Sequence, residues 1–96
     1  MENNTMSSKY VIVRDYGIIN KRTDALGNKW IKRVRFISWN DQKPLLDIRE
    51  WSDDDATCRT GMRLNWREVD ALEDLLVKIK EEQQRVGKED RAVGEA

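Results

Sequence analysis

The chain contains no histidine, one cysteine and one proline in 96 residues. The absence of histidine excludes Ser-His nucleophilic pairs, histidine acid–base catalysis and histidine-ligated zinc. Cys58 alone cannot form an internal disulfide or a cysteine-rich metal site, and a single thiol is compatible with a reducing cytosol. We therefore expect a protein that is not an enzyme and that has no cofactor and no metal site.

Long apolar runs are also missing, since no stretch approaches the ~18 residues of a membrane-spanning helix. Residues 1–8 have little apolar content and predict a disordered lead rather than a signal peptide. There is no glycine-rich phosphate loop, and the acidic run Asp53-Asp54-Asp55 lacks the ligand spacing of a calcium loop. We expect no membrane partner, no small-molecule substrate and a cytoplasmic location, at the nucleoid if the source is bacterial.

The formal net charge of zero hides a local excess of positive charge. Residues 21–39 hold six basic residues and one acidic residue, whereas residues 52–96 hold 8 basic and 12 acidic residues. A basic excess in one segment is typical of a surface that contacts a polyanion. A solvated strand face gives the same pattern, so the charge alone does not assign a partner.

The hydrophobic pattern predicts four strands followed by one helix. Turn-forming residues separate the strands, and Asn65 with Glu68 has the spacing of a helix-capping box. An apolar stripe then runs to a helix end near Val86, followed by a polar tail at 87–96 that we expect to be disordered. The predicted strands are 10–19, 30–39, 44–51 and 59–64.

Short connections between successive strands predict an antiparallel meander. The expected fold class is therefore α+β: one domain over residues 9–86, with a four-stranded antiparallel β-meander followed by one C-terminal helix. Because a domain of this size buries only a small core, we also expect a homodimer whose two-fold interface includes the helices.

Apolar and polar residues alternate along the second and third strands, which predicts that the two sheet faces differ. The first strand has apolar residues at both odd and even positions, so its faces cannot be assigned. One face, with Val34, Phe36, Leu46 and Ile48, is expected to form the core beneath the helix. The other is expected to stay open. The open face collects Arg33, Arg35, Ile37 and Trp39 from the second strand and Leu45, Asp47, Arg49 and Trp51 from the third.

Aromatic rings interleaved with arginine and lysine fit a single-stranded nucleic acid. The cations follow the phosphates, and the rings stack on unpaired bases. By composition and parity alone, the same face also fits an ordinary solvated surface or a dimer contact. A protein–protein adaptor that uses the open sheet face or its edge is therefore the alternative function.

The stretch SWNDQKPLLDIREW, residues 38–51, resembles the central hairpin of the transcriptional coactivator positive cofactor four family. The shared hallmark is Asp-Ile-Arg-Glu followed by an aromatic residue, here residues 47–51. The segment at 61–65 is similar to the one that leads into that family's only helix. Residues 10–20, Trp30 and the Ser-Trp-Asn at 38–40 resemble the bacterial YdbC-type branch more closely than the eukaryotic coactivator. The resemblance covers about residues 9–80.

The resemblance implies a two-fold homodimer that binds single-stranded DNA along a ridge of β-strands with little sequence preference. Arg49 matches the DNA-contacting arginine after Asp-Ile, Lys43 matches the lysine that opens the third strand, and Trp51 falls in an aromatic position. Trp39 takes the place of the hairpin-end aromatic if the turn is one residue longer here. Arg59 lies near a basic position of the fourth strand.

The expected function is therefore non-catalytic binding of single-stranded DNA, with RNA as an open alternative, in transcription, replication or repair. The candidate binding residues are Trp39, Lys43, Arg49 and Trp51, with Arg33, Arg35 and Arg59 in support.

Overall fold

The structure is a computed structural model that describes the backbone of residues 9–94 and the side chains of residues 9–86. The strands form one sheet in the order β1-β2-β3-β4, with each neighbouring pair antiparallel. A single helix, α1, follows, so the predicted α+β class, the antiparallel meander and the C-terminal helix are confirmed. The elements are β1 (Tyr10–Thr23), β2 (Lys29–Trp39), β3 (Leu45–Ser52), β4 (Met62–Leu64) and α1 (Trp66–Gly94).

The sheet and the helix are two compact units that divide between Asn65 and Trp66. The helix extends eight residues past the end predicted at Val86, through the segment expected to be a disordered tail. Glycine costs about 1 kcal/mol relative to alanine inside a helix, and the good helix formers before Gly87 offset that cost. The predicted lead at 1–8 lies outside the described residues, as do residues 95 and 96.

Strand β1 is four residues longer than predicted and carries three irregularities. Its pairing with β2 shifts by one residue at Val13, at Tyr16 and at Ile19. Each extra residue inverts the alternation of the side chains that follow it. This explains why the first strand is apolar at both parities and why its faces could not be read from the sequence.

Two turns fix the register of β2. The Gly27 N–H donates to the Asp24 carbonyl at 3.0 Å, and Gly27 has a φ of 89°, as the Gly-Asn pair predicts. At the other end, Asn40 and Asp41 have φ values of 52° and 63°, and the Gln42 N–H donates to the Trp39 carbonyl at 2.9 Å. These are the features of a type I′ turn at residues 40 and 41, which lies in the connection predicted between the second and third strands.

Candidate functional site

The candidate site is the sheet face that carries Arg33, Arg35, Trp39, Asp47, Arg49 and Trp51, here called the arginine face. The β2–β3 register pairs Arg33 with Arg49, Arg35 with Asp47 and Ile31 with Trp51. Residues paired across antiparallel strands point to the same face. The predicted membership of this face from β2 and β3 is therefore confirmed.

The burial of the two faces is the reverse of the expected one. Val34 and Phe36, which were expected to form the core, are only half-buried. Arginine and tryptophan have long side chains that cover one another, and carboxylates neutralise the guanidinium groups, so this face excludes water in spite of its charge. The buried residues of the sheet all lie on the arginine face: Ile31, Arg35, Ile37, Asp47 and Trp51.

Asp47 holds Arg49 and Trp39 together. Its carboxylate is fully buried and accepts two hydrogen bonds from Arg49, both at 2.7 Å, and one from the Trp39 indole N–H at 3.1 Å. The Arg49 guanidinium lies over the Trp39 ring, 4.6 Å from its centroid. Burial acts to lower the pKa of Arg49, but the hydrogen bonds to Asp47 raise it above its usual value. Arg49 is therefore a fixed cation stacked on an aromatic ring.

Gly61 lets the chain pass close to Arg49. A Cβ atom at position 61 would collide with the Arg49 Cβ, and it would lie 2.6 Å from the Ile48 carbonyl oxygen. The Arg49 Nη1 group also donates to the Arg59 carbonyl in the same segment, at 3.4 Å. The segment before β4 therefore packs against Arg49 only because residue 61 has no side chain.

Arg35 is held by two carboxylates. It donates two hydrogen bonds to Asp55, at 3.0 and 3.1 Å, and one to Asp15 at 3.1 Å. Its guanidinium lies 4.8 Å from the centroid of the Trp51 ring. Burial acts to lower the pKa of Arg35, but the bonds to Asp55 and Asp15 raise it overall. The neighbouring Arg33 approaches the same acids, at 3.7 Å from Asp15 and 3.9 Å from Asp55.

The two predicted stacking tryptophans differ in accessibility. Trp51 is 1% exposed, so its ring supports the face from within and is not open to a base in this conformation. Trp39 is half-buried, and the Tyr10 ring lies 5.0 Å from it and 5.4 Å from Trp51. The accessible aromatic surface therefore consists of Trp39 and Tyr10, and Tyr10 is 37% exposed.

Tyr10 and Arg63 belong to the arginine face and were missed by the sequence analysis. Tyr10 pairs with Trp39, and Arg63 pairs with Asp47 and lies 5.9 Å from the Trp39 ring centroid. The bulges of β1 hid the face of Tyr10. Arg63 could have been found, because Met62 and Leu64 already assign it to the other side of β4.

Lys43 is exposed at the end of the β2–β3 connection, as predicted, and forms no ion pair among the described residues. Arg59 does not join this set. Its guanidinium lies 4.3 Å from the centroid of the Trp30 ring, and Trp30 belongs to the opposite sheet face. The structure therefore brings Arg33, Arg35, Trp39 and Arg49 to one face of the sheet. It places Lys43 in the connection between β2 and β3 and leaves Arg59 with Trp30 on the other face.

The opposite face has its own ion pair. Arg22 donates two hydrogen bonds to Glu50, at 2.6 and 2.7 Å, and this hydrogen bonding with Arg22 lowers the pKa of Glu50. Asp24 accepts a hydrogen bond from the Trp30 indole at 2.9 Å, which lowers the pKa of Asp24. The Arg59 guanidinium, which lies over the Trp30 ring, also approaches this site, with its Nε atom 4.0 Å from a carboxylate oxygen of Glu50.

Across residues 9–86, no cluster of acidic or cysteine side chains has the arrangement of a metal site. Asp55 binds Arg35, and Asp54 accepts hydrogen bonds from Ser52 and Ala56 in its own loop. Within the helical part that the structure describes, no segment is long and apolar enough to cross a membrane.

No protein-family model matches the chain. The chain is 36% identical over 67 residues to a protein of Treponema pallidum (strain Nichols) that is described as uncharacterized. The match covers 70% of this chain and 74% of the Treponema protein, so the chain belongs to the same family as that protein. The description of the relative names no ligand or activity.

Proposed function

We propose that the protein binds single-stranded DNA through the arginine face, without catalysis and with little sequence preference; RNA is the alternative ligand. One observation carries the proposal. The Arg49 guanidinium lies 4.6 Å and the Tyr10 ring centroid 5.0 Å from the centroid of the partly exposed Trp39 ring. The exposed Lys43 lies at the end of the hairpin that holds Trp39. Such a cluster offers planar surfaces to bases beside cations for the phosphates.

The magnitudes favour stacking over long-range attraction. Each base stacked on an aromatic ring is worth roughly 1–3 kcal/mol by alanine substitution. The arginine face carries four arginines against the carboxylates of Asp15, Asp47 and Asp55, and the whole chain has no net charge. We therefore propose moderate affinity with a shallow salt dependence. The resemblance of residues 38–51 to the positive cofactor four family supports the same ligand.

We also propose that the protein is a homodimer. Strand β1 is a 14-residue edge strand on which Val11 and Ile19 are 61% and 58% exposed, and α1 exposes Leu75, Leu76 and Ile79. Apolar edge strands and apolar helix stripes of this kind mark protein contacts. Sedimentation velocity at micromolar concentration should give a dimer, and a monomer would contradict this part of the proposal.

The same exposed edge favours the second candidate function, an adaptor that binds another protein through β1. Adaptor binding would show little salt dependence, and oligonucleotides would not compete with it. Under the main proposal, the protein acts in the cytoplasm in transcription, replication or repair, at the nucleoid if the source is bacterial.

The test of the main proposal is a titration with oligo-dT and with a duplex of the same length, followed by tryptophan fluorescence. We expect quenching and tighter binding by the single strand, because duplex bases are already stacked. Lys43→Ala should reduce the salt slope by about 0.7, the single-strand value for one phosphate. Lys78→Ala removes the same charge from exposed α1 and is the matched control. Equal affinity for both nucleic acids, or equal slopes in the two variants, would contradict the proposal.

A further inference from the structure

The arginines of the arginine face differ in the carboxylates that bind them and in how exposed those carboxylates are. Arg49 is bound to Asp47, whose carboxylate is fully buried, so solvent has no access to that acid. Arg35 is 5% exposed at its side chain and contacts two carboxylates, those of Asp55 and Asp15, whose side chains are 39% and 40% exposed. Both acids are accessible, but Asp55 accepts two of the three hydrogen bonds that the buried guanidinium donates.

The loop after β3 is built to present Asp55. The Asp55 N–H donates to the Ser52 carbonyl at 2.8 Å, and the Ser52 N–H donates to the Thr57 carbonyl at 2.9 Å. Asp55 adopts a left-handed backbone conformation with a φ of 65°. Asp54 accepts a hydrogen bond from the Ser52 hydroxyl inside the loop, whereas Asp53 is exposed. Of the three consecutive acids, the loop aims only Asp55 at Arg35.

The contact between Asp55 and Arg35 has the geometry of phosphate recognition. Two N–H groups of Arg35 donate in parallel to the two Asp55 oxygens, at 3.1 and 3.0 Å. An arginine binds a carboxylate and a phosphate in the same forked manner. The Arg33 Nε atom beside it is buried and has no hydrogen-bond partner among the described residues. An anion that replaced Asp55 would find both guanidinium groups.

We propose that Asp55 is an internal competitor for the nucleic-acid backbone. It occupies Arg35 in the free protein, and a phosphate of the bound strand displaces it. This inference rests on the proposed function and adds to it how the site is regulated: the wild-type affinity is held down by a carboxylate from the protein's own loop. Asp15 keeps its bond to Arg35 during the exchange, so the guanidinium stays in position.

The experiment compares oligo-dT affinity in the wild type, in Asp55→Asn and in Asp53→Asn, at one salt concentration. Both variants remove one negative charge from the same loop, but only the first removes a partner of Arg35. Asp55→Asn should tighten binding about tenfold, because a charged hydrogen-bonding competitor is lost. Asp53→Asn should change the affinity by less than about threefold, since an exposed charge is screened.

Circular dichroism and thermal unfolding establish that each variant is folded. Asp55→Gly is a second variant, because it removes the carboxylate and suits the left-handed backbone at this position. It should tighten binding to a similar extent as Asp55→Asn.

The outcomes separate the inference from the proposed function. Equal affinity in the Asp55 and Asp53 variants, with the wild type still binding oligo-dT, would overturn the inference alone. No binding by any of the proteins at low salt would overturn both. Binding by the Asp55 variants alone would support the inference and would mean that the wild-type site is closed, contrary to the proposed function.

Discussion

Replacing Asp47 with alanine will lower the free energy of unfolding by about 3–5 kcal/mol, the usual cost of removing one partner from a buried ion pair. The carboxylate is fully buried, and its loss leaves Arg49, whose side chain is 11% exposed, without its counter-ion. The Trp39 indole N–H also loses its acceptor. Urea unfolding at a fixed protein concentration measures the change.

Two further variants bracket this prediction. Asp53→Ala removes an exposed acid and should change the stability by less than about 0.5 kcal/mol. Asp47→Asn keeps an oxygen that can accept from Trp39 but not the charge that faces Arg49, so its loss should fall between the two. A loss below 1 kcal/mol for Asp47→Ala would show that the arginine face is not held by this carboxylate.

The second large effect is expected for Gly61→Ala. The added Cβ would meet the Arg49 Cβ and the Ile48 carbonyl oxygen, and neither atom is the free end of a flexible side chain. The chain must therefore move, at a cost of about 1–3 kcal/mol, the range for overpacking. Because the movement displaces Arg49, oligo-dT affinity should fall as well.

Thr60→Ala is the control for Gly61→Ala, because Thr60 is an exposed neighbour in the same segment. It should leave both stability and affinity close to those of the wild type. If Gly61→Ala kept the wild-type affinity, the close packing of this segment on Arg49 would have no part in binding.

The sequence predicted the meander and the membership of the arginine face well because β2 and β3 pair in uninterrupted alternation. With a strict period of two, Arg35, Arg49 and Trp39 must share a side. The turn at Asn40 and Asp41 was equally readable, since both residues tolerate the positive φ that a tight hairpin requires.

The burial of that face could not be read from the sequence. Its water-excluding contacts join residues far apart in the chain, such as Arg35 with Asp55 and Arg35 with Asp15, each pair 20 residues apart. A pattern of alternation cannot show that a carboxylate from a distant loop will neutralise a given arginine. The face that was expected to be open is therefore partly closed: Trp51 is buried, and Tyr10 lies beside Trp39.

The predictions for strand β1 and for Arg59 were incomplete or wrong for reasons of local backbone structure. The three bulges of β1 change its parity, and only the one at Tyr16 has a marker in the sequence, the glycine at position 17, so the face of Tyr10 could not be assigned. Arg59 was assigned to a strand that in fact begins at Met62, so it lies in a loop that turns its side chain towards Trp30.

The most direct test of the arginine face as the single-strand site is a proton–nitrogen correlation spectrum of the four tryptophan indole N–H groups during titration with oligo-dT. The Trp39 resonance should shift strongly, because the strand would lie against its ring and disturb the bond to Asp47. Trp30 lies on the opposite face of the same sheet, where its indole N–H donates to Asp24, so its resonance should stay in place. A large shift of the Trp30 resonance with an unmoved Trp39 would contradict the assignment of the strand to the arginine face.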